Sequence, residues 1–276
     1  MSSLLRYVGF SHLESLRRGK LHISSYSRFN DEFELHFTSE VQRAMSREEI
    51  PSSISPRIAR ILMAPPNPLI HETLEDFRRN HFPKRFEQLR MICCSRCETD
   101  ELKVRLQDIR MWTYYGDANK GIKIHLSSEF EHDTRWQVEE MIYNDKPLAL
   151  DYDTLMGDDK KYSEWAMKVV TRKSNALEFE NERRVFISPA SIEKCVLSDK
   201  TERDCISLSP THITRIDLGT KFANNFQRGD PAESLADSQD HCLSAILEYF
   251  PNISIFQAIA CPESYAYRYD FVSIHT

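Results

Sequence analysis

The sequence predicts an α+β protein of mixed, mainly antiparallel sheets with helices packed around them. Strand patterns outnumber helix patterns, and the helices fall between them irregularly instead of alternating as a parallel β-α-β fold requires. Glycine is scarce, at 7 of 276 residues. Neither a dinucleotide-binding glycine fingerprint nor a phosphate-cradling P-loop occurs. The length suits one large domain, 1–276, and no internal repeat is visible.

Leu4–Val8 reads as an opening strand. Ser11–Arg18 reads as a short amphipathic helix with Ser11 as its N-cap and Gly19 as its stop. Lys20–Ser24 is a second strand that runs into Tyr26, Phe29, Asn30, Asp31 and Phe33. Asn30-Asp31 is a turn pair able to hold backbone amides towards an anion or a ribose; a helix cap, and core packing for the phenylalanines, compete with that reading. Residues 38–88 differ in kind: polar helices broken by Pro51, Pro56 and the prolines at 65, 66 and 68 suggest a helical insertion or lid.

Leu89–Ser95 follows as a buried strand, then a charged stretch, then Trp112, Tyr114 and Tyr115 just ahead of a strand in which Ile122, Ile124 and Leu126 alternate with Lys123 and His125. Such aromatics either close the core or stack on a flat ring. Val138–Tyr143 reads as a strand, Tyr162–Lys173 as a helix, Ile213–Gly219 as a strand, Cys242–Phe250 as a helix and Ile253–Ala260 as a last strand.

The stretch Ala176–Ile187 is the most unusual in the chain. Read as a strand, it puts Glu178, Glu180, Glu182 and Arg184 on one face, with Phe179, Val185 and Ile187 on the other. Carboxylates roughly 6.5–7 Å apart along a strand raise one another's pKa unless cations or a ligand intervene. The run is therefore either a salt-bridge ladder on a solvated edge or a site; a helical reading, with Glu178 and Glu182 at i, i+4, is weaker beside the strand-like Arg-Val-Phe-Ile ending.

A net charge of −6 argues against a general nucleic-acid coat and leaves room for a local basic groove. With no signal-peptide core and no apolar run of membrane-spanning length, a cytoplasmic protein without membrane contact is expected. Seven cysteines, an odd number, suit reduced thiols. Cys94 and Cys97 make a lone C-x-x-C with no second ligand pair, so no metal is expected.

Several motifs occur in a distinctive order. They are Arg6-Tyr7, the Phe29-Asn30-Asp31-x-Phe33-Glu34 box, Cys93-x-Ser95 within its strand, Met111-Trp112-x-x-Tyr115 before Lys120-Gly-Ile, Phe179-Glu-x-Glu-x-Arg184, Ile216-x-Leu-Gly219 and the late Gln257-Ala258. The set resembles an uncharacterised bacterial domain family over nearly the whole chain outside 38–88. Glu32 stands where that box usually has proline, and Leu177 where an aromatic is usual. More distantly, the layout resembles the ADP-ribosyltransferase fold.

That second resemblance implies an enzyme that consumes NAD as a substrate. In it Arg6 contacts the dinucleotide, Ser24 or Tyr26 follows on the next strand, and Glu182 is the catalytic acid with Glu180 activating the acceptor. Phe29, Asn30, Trp112 and Tyr115 complete the NAD site, an aromatic holding the nicotinamide. A carboxylate on the ribose hydroxyl would stabilise the oxocarbenium-like transition state, and an arginine suits a pyrophosphate. The acceptor would be RNA, DNA or protein, the biological role that of a bacterial toxin or phage-defence effector, and a neutralising antitoxin a possible partner. Arg78, Arg79, Lys84, Arg85 and Arg90 form either a guide for phosphate backbones or a solvated helical face. The alternative is a non-catalytic binding module whose acidic strand contacts a basic protein.

Overall fold

The computed structural model describes residues 4–25, 37–39, 89–97, 100–146, 148–150, 159–223, 239–264 and 266–272. The chain divides into two compact units. One comprises Met1–Ser24, Arg90–Glu140 and Phe179–Thr276; the other joins Ser25–Leu89 to Met141–Glu178. The stretch set apart at 38–88 falls within the second unit, which also takes in Met141–Glu178. Apart from a strand at Phe37–Ser39, the helical character expected of 38–88 lies outside the described residues.

The first unit is α+β. Its strands are β1 (Leu4–Val8), β2 (Lys20–His22), β3 (Arg90–Arg96), β4 (Ile122–Leu126), β5 (Trp136–Glu140), β6 (Glu182–Ile187), β7 (Glu193–Val196), β8 (Glu202–Ser207), β9 (Ile213–Leu218), β10 (Ser254–Ala260) and β11 (Tyr267–Phe271). Eight follow one another across the main sheet in the order β11-β10-β9-β4-β1-β3-β6-β5. Only β9 and β10 pair parallel along that path. A second, antiparallel sheet has the order β7-β8-β2.

Period-two alternation sorts the main sheet's side chains. Leu4, Val8, Ile92, Ile122, Ile124, Val185 and Ile216 form the principal core with Leu243, Ile246 and Phe250, which belong to or border helix α3 (Gln239–Tyr249). The opposite face carries Leu5 and Tyr7, covered by Met111 and Trp112 of helix α2 (Glu101–Tyr114). The opening helix is shorter than expected: α1 spans Leu13–Leu16 after a 3-10 turn at Phe10–His12, and Gly9 rather than Ser11 stands at the N-cap. Gly19 ends that segment at φ 67°, a conformation that favours glycine.

Two expectations are corrected. The charged stretch before Trp112 is the 14-residue helix α2, started by Asp100, whose side chain accepts from the Lys103 N–H at 2.9 Å. The acidic run is not one strand. Asn175–Glu180 is a 3-10 helix, Asn181 sits at φ 44°, and β6 begins only at Glu182. A left-handed residue ends strand alternation, so Glu178, Glu180 and Glu182 do not share a strand face.

In the second unit Phe37–Ser39 pairs parallel with Leu148–Leu150, and Ile142–Tyr143 with Arg172–Lys173. A helix spans Asp159–Val170 and buries Trp165, Val169 and Val170. Among the described residues no helix is long and apolar enough to cross a membrane.

Candidate anion site and buried charge network

The sheet register separates the predicted site residues. Leu5 pairs with Ser95, and Ser95 with Glu182, so these three share a row and a face. Arg6 is the next residue of β1 and points with Leu4 and Val8 to the other face. It is only 6% exposed. The arginine and the acid expected to meet on one ligand lie on opposite sides of the sheet.

Both acids are engaged where they are. The Arg184 Nε donates to Glu182 Oε1 at 2.8 Å, with the two side chains 1% and 4% exposed. The Tyr115 hydroxyl donates to Glu180 Oε1 at 2.7 Å, and Gln107 Nε2 donates to the Glu180 carbonyl at 3.2 Å. Trp112 is wholly buried. Its ring meets Tyr7 edge-on at 5.4 Å and its Nε1 donates to the Tyr269 hydroxyl at 3.3 Å. It closes the core and presents no free ring face to a nicotinamide. Tyr115 keeps partial exposure. Tyr26, Phe29 and Asn30 lie outside the described residues.

Arg6 has different company. Its Nη1 is buried and lacks a hydrogen-bond partner, as do His12 Nδ1 and Arg203 Nε. His12 feels the charge of Arg6, His22 and Arg203, and its ring centroid lies 4.6 Å from that of His22. Four elements thus contribute to one cluster: β1 supplies Arg6, the turn after it His12, and β2 and its partner β8 supply His22 and Arg203. Cys205 pairs with His22 across β2 and β8, and the Ile23 N–H still reaches the Asp204 carbonyl at 3.0 Å. Ser24 opens the two-residue strand Ser24–Ser25, which pairs with β3 in the main sheet. Of the predicted residues, then, Arg6 belongs to this neighbourhood, and Glu180, Glu182, Trp112 and Tyr115 do not.

A lone buried cation is costly, and each unmade buried hydrogen bond adds about 1–3 kcal/mol. Burial pushes the Arg6 pKa down, partly offset by the nearby thiols of Cys94, Cys93 and Cys205. Burial also drives His12 well below its ordinary value, and Arg6, His22 and Arg203 add to the effect. The Ser15 hydroxyl has one proton. It lies 3.2 Å from the His12 carbonyl, an acceptor, and 2.6 Å from His22 Nε2, where the donor is set by the His22 tautomer. The cluster therefore offers several N–H groups and, among the described residues, no carboxylate hydrogen-bonded to Arg6 or His12. A donor set of this kind suits an oxyanion.

On the other face stands a second constellation that sequence reasoning missed. Lys123, only 4% exposed, bridges Asp108 Oδ1 at 3.1 Å and Asp217 Oδ2 at 3.2 Å, and donates to the Tyr269 hydroxyl at 2.7 Å. Tyr7 and Tyr269 both donate to Asp108; His125 and Arg215 reach Asp217 at 2.8 and 2.5 Å. Burial alone would raise the Asp217 pKa, but His125, Lys123 and Arg215 outweigh it and hold the carboxyl at about 2. These groups satisfy one another, which marks a network joining α2 to the sheet. Only the alternation of Lys123 and His125 within an apolar strand hinted at it.

The chain matches no protein-family model, no curated protein and no solved structure. Among the described residues no group of three or more His, Cys, Asp or Glu side chains is placed to hold a metal.

Proposed function

We propose that this chain binds a pyrophosphate-bearing nucleotide of the NAD class, with its phosphates at Arg6, His12 and Arg203. One observation carries the reading: Arg6 and Arg203 both lie within electrostatic reach of His12, a buried nitrogen of each of the three lacks a partner, and among the described residues no carboxylate is hydrogen-bonded to Arg6. Two arginines and an imidazole suit the two negative charges of a pyrophosphate diester without a glycine loop or a metal.

Transfer of ADP-ribose to RNA, DNA or protein, in a toxin or defence effector of the ADP-ribosyltransferase fold, is the activity that the motif order attaches to such a ligand. The acids first nominated for it lend no support. Glu182 lies across the sheet from Arg6, with its carboxylate on Arg184, and Glu180 is bonded to Tyr115. Turnover at this cluster would draw its carboxylate from elsewhere in the chain. The burial of Glu180 and Glu182, at 4% and 5% exposure, equally removes the open acidic face that a non-catalytic module would present to a basic partner.

Titration calorimetry with ADP-ribose and NAD, alongside chromatography for released nicotinamide, tests this. Saturable binding of both ligands is expected. Absence of binding by either overturns the proposal. Nicotinamide release that Glu182→Gln abolishes in a folded protein would return the acidic strand to the mechanism.

A further inference from the structure

Building on that phosphate site, we propose that His12 takes up a proton as the anion binds, so that the chain holds a pyrophosphate diester more tightly as the pH falls. The site would then read proton concentration as well as ligand.

The geometry behind this is the placement of His12 Nδ1, which is buried and without a partner, 4.6 Å ring to ring from His22 of β2; among the described residues the groups that act on it are Arg6 from β1, His22 and Arg203 from β8, none of them anionic. Those neighbours, with burial, keep the imidazole neutral near pH 7. A pyrophosphate brings negative charge to the same place and reverses the balance. Once the anion is present, a protonated His12 gives it a charge-assisted hydrogen bond from Nδ1, which the neutral ring provides only in one tautomer.

His22 Nε2 and the Ser15 hydroxyl are engaged with each other at 2.6 Å, and Ser15 also reaches the His12 carbonyl at 3.2 Å. Burial pushes the Cys94 and Cys205 thiols up to about 12, so both stay protonated throughout the neutral range. Arginine is cationic across this range. His12, with its Nδ1 unpartnered, takes the proton.

ADP-ribose is the probe, because its diester does not titrate in the neutral range and it has no nicotinamide to lose. Calorimetry near pH 7 in two buffers of different ionisation enthalpy counts the protons exchanged. The wild-type protein is expected to absorb about one proton per ligand and to lose up to about tenfold in affinity per pH unit as the pH rises. His12→Asn, or His12→Gln should the first variant not fold, is expected to bind with little proton exchange and a flat pH profile. Wild-type binding without proton uptake, or uptake that survives in the His12 variant, overturns this inference and leaves the phosphate site standing. No binding at all by the wild-type protein overturns both.

Discussion

Arg6 and Glu182 project from opposite faces of the main sheet, although they lie on strands separated only by β3 and differ by a single step in register. A one-residue difference on a strand reverses a side chain's direction. It follows that the two residues act independently. Arg6→Gln is expected to weaken ADP-ribose binding by about tenfold or more, the loss of one charge-assisted hydrogen bond, while Glu182→Gln leaves it within about twofold. Calorimetry on both variants checks this, with circular dichroism to show that each is folded.

Glu182 still matters to the fold. Truncating one partner of a buried ion pair strands the other charge, so Glu182→Ala is expected to destabilise the chain by about 3–5 kcal/mol. The double change of Glu182 and Arg184 to apolar residues should recover part of that loss. Urea denaturation of the three variants measures the coupling.

Lys123 is the hinge of the other network, meeting Asp108, Asp217 and Tyr269 from beneath α2. Lys123→Met leaves two buried carboxylates facing each other and is expected to cost about 3–5 kcal/mol. Lys123→Arg is no rescue, since a larger planar group does not fit a packed site.

Acid should destabilise the protein in two stages. Burial lowers the pKa of His12, His125 and His212 below the ordinary 6.5. Below that value the unfolded chain binds protons that the folded chain refuses, so stability present at neutral pH is lost as the pH falls towards the lowered folded values. Asp217, held at about 2 against an ordinary 3.8, adds about 2 kcal/mol that is lost as the pH falls from 3.8 to 2. Thermal melts from neutral to acid pH should show the first decline near 6.5. A flat profile down to pH 4 would contradict the burial of the histidines.

Asn181 is a local determinant of where β6 begins, at φ 44°. Asn181→Gly is expected to be nearly neutral, whereas Asn181→Val should cost about 1–2 kcal/mol by forcing a β-branched residue into the left-handed region. Denaturation midpoints distinguish them.

Much of the strand content was legible because it depends on local alternation. Leu4–Val8, Ile122–Leu126, Ile213–Leu218 and Ser254–Ala260 appear where their apolar periods place them, as do the helices at 159–170 and 239–249. Helix α2 was not, because its buried stripe includes Gln107 and Asp108 beside Met111 and Trp112. A polar residue buried against a sheet looks the same in a sequence as one facing water. The acidic run misled for a related reason: its three evenly spaced glutamates concealed the one residue, Asn181, whose backbone breaks the period.

Amino-acid order alone determined the α+β class and the positions of most strands, since side-chain alternation and turn chemistry act over a few residues. Tertiary structure alone decided which charges meet. Arg6, His22 and Arg203 come within reach of His12 because β8 folds back on β2 from nearly two hundred residues away, and Glu182 turns from Arg6 because β3 sets their register. Pairings of that range depend on how strands dock, and the identity of each residue carries no record of the partner it will face.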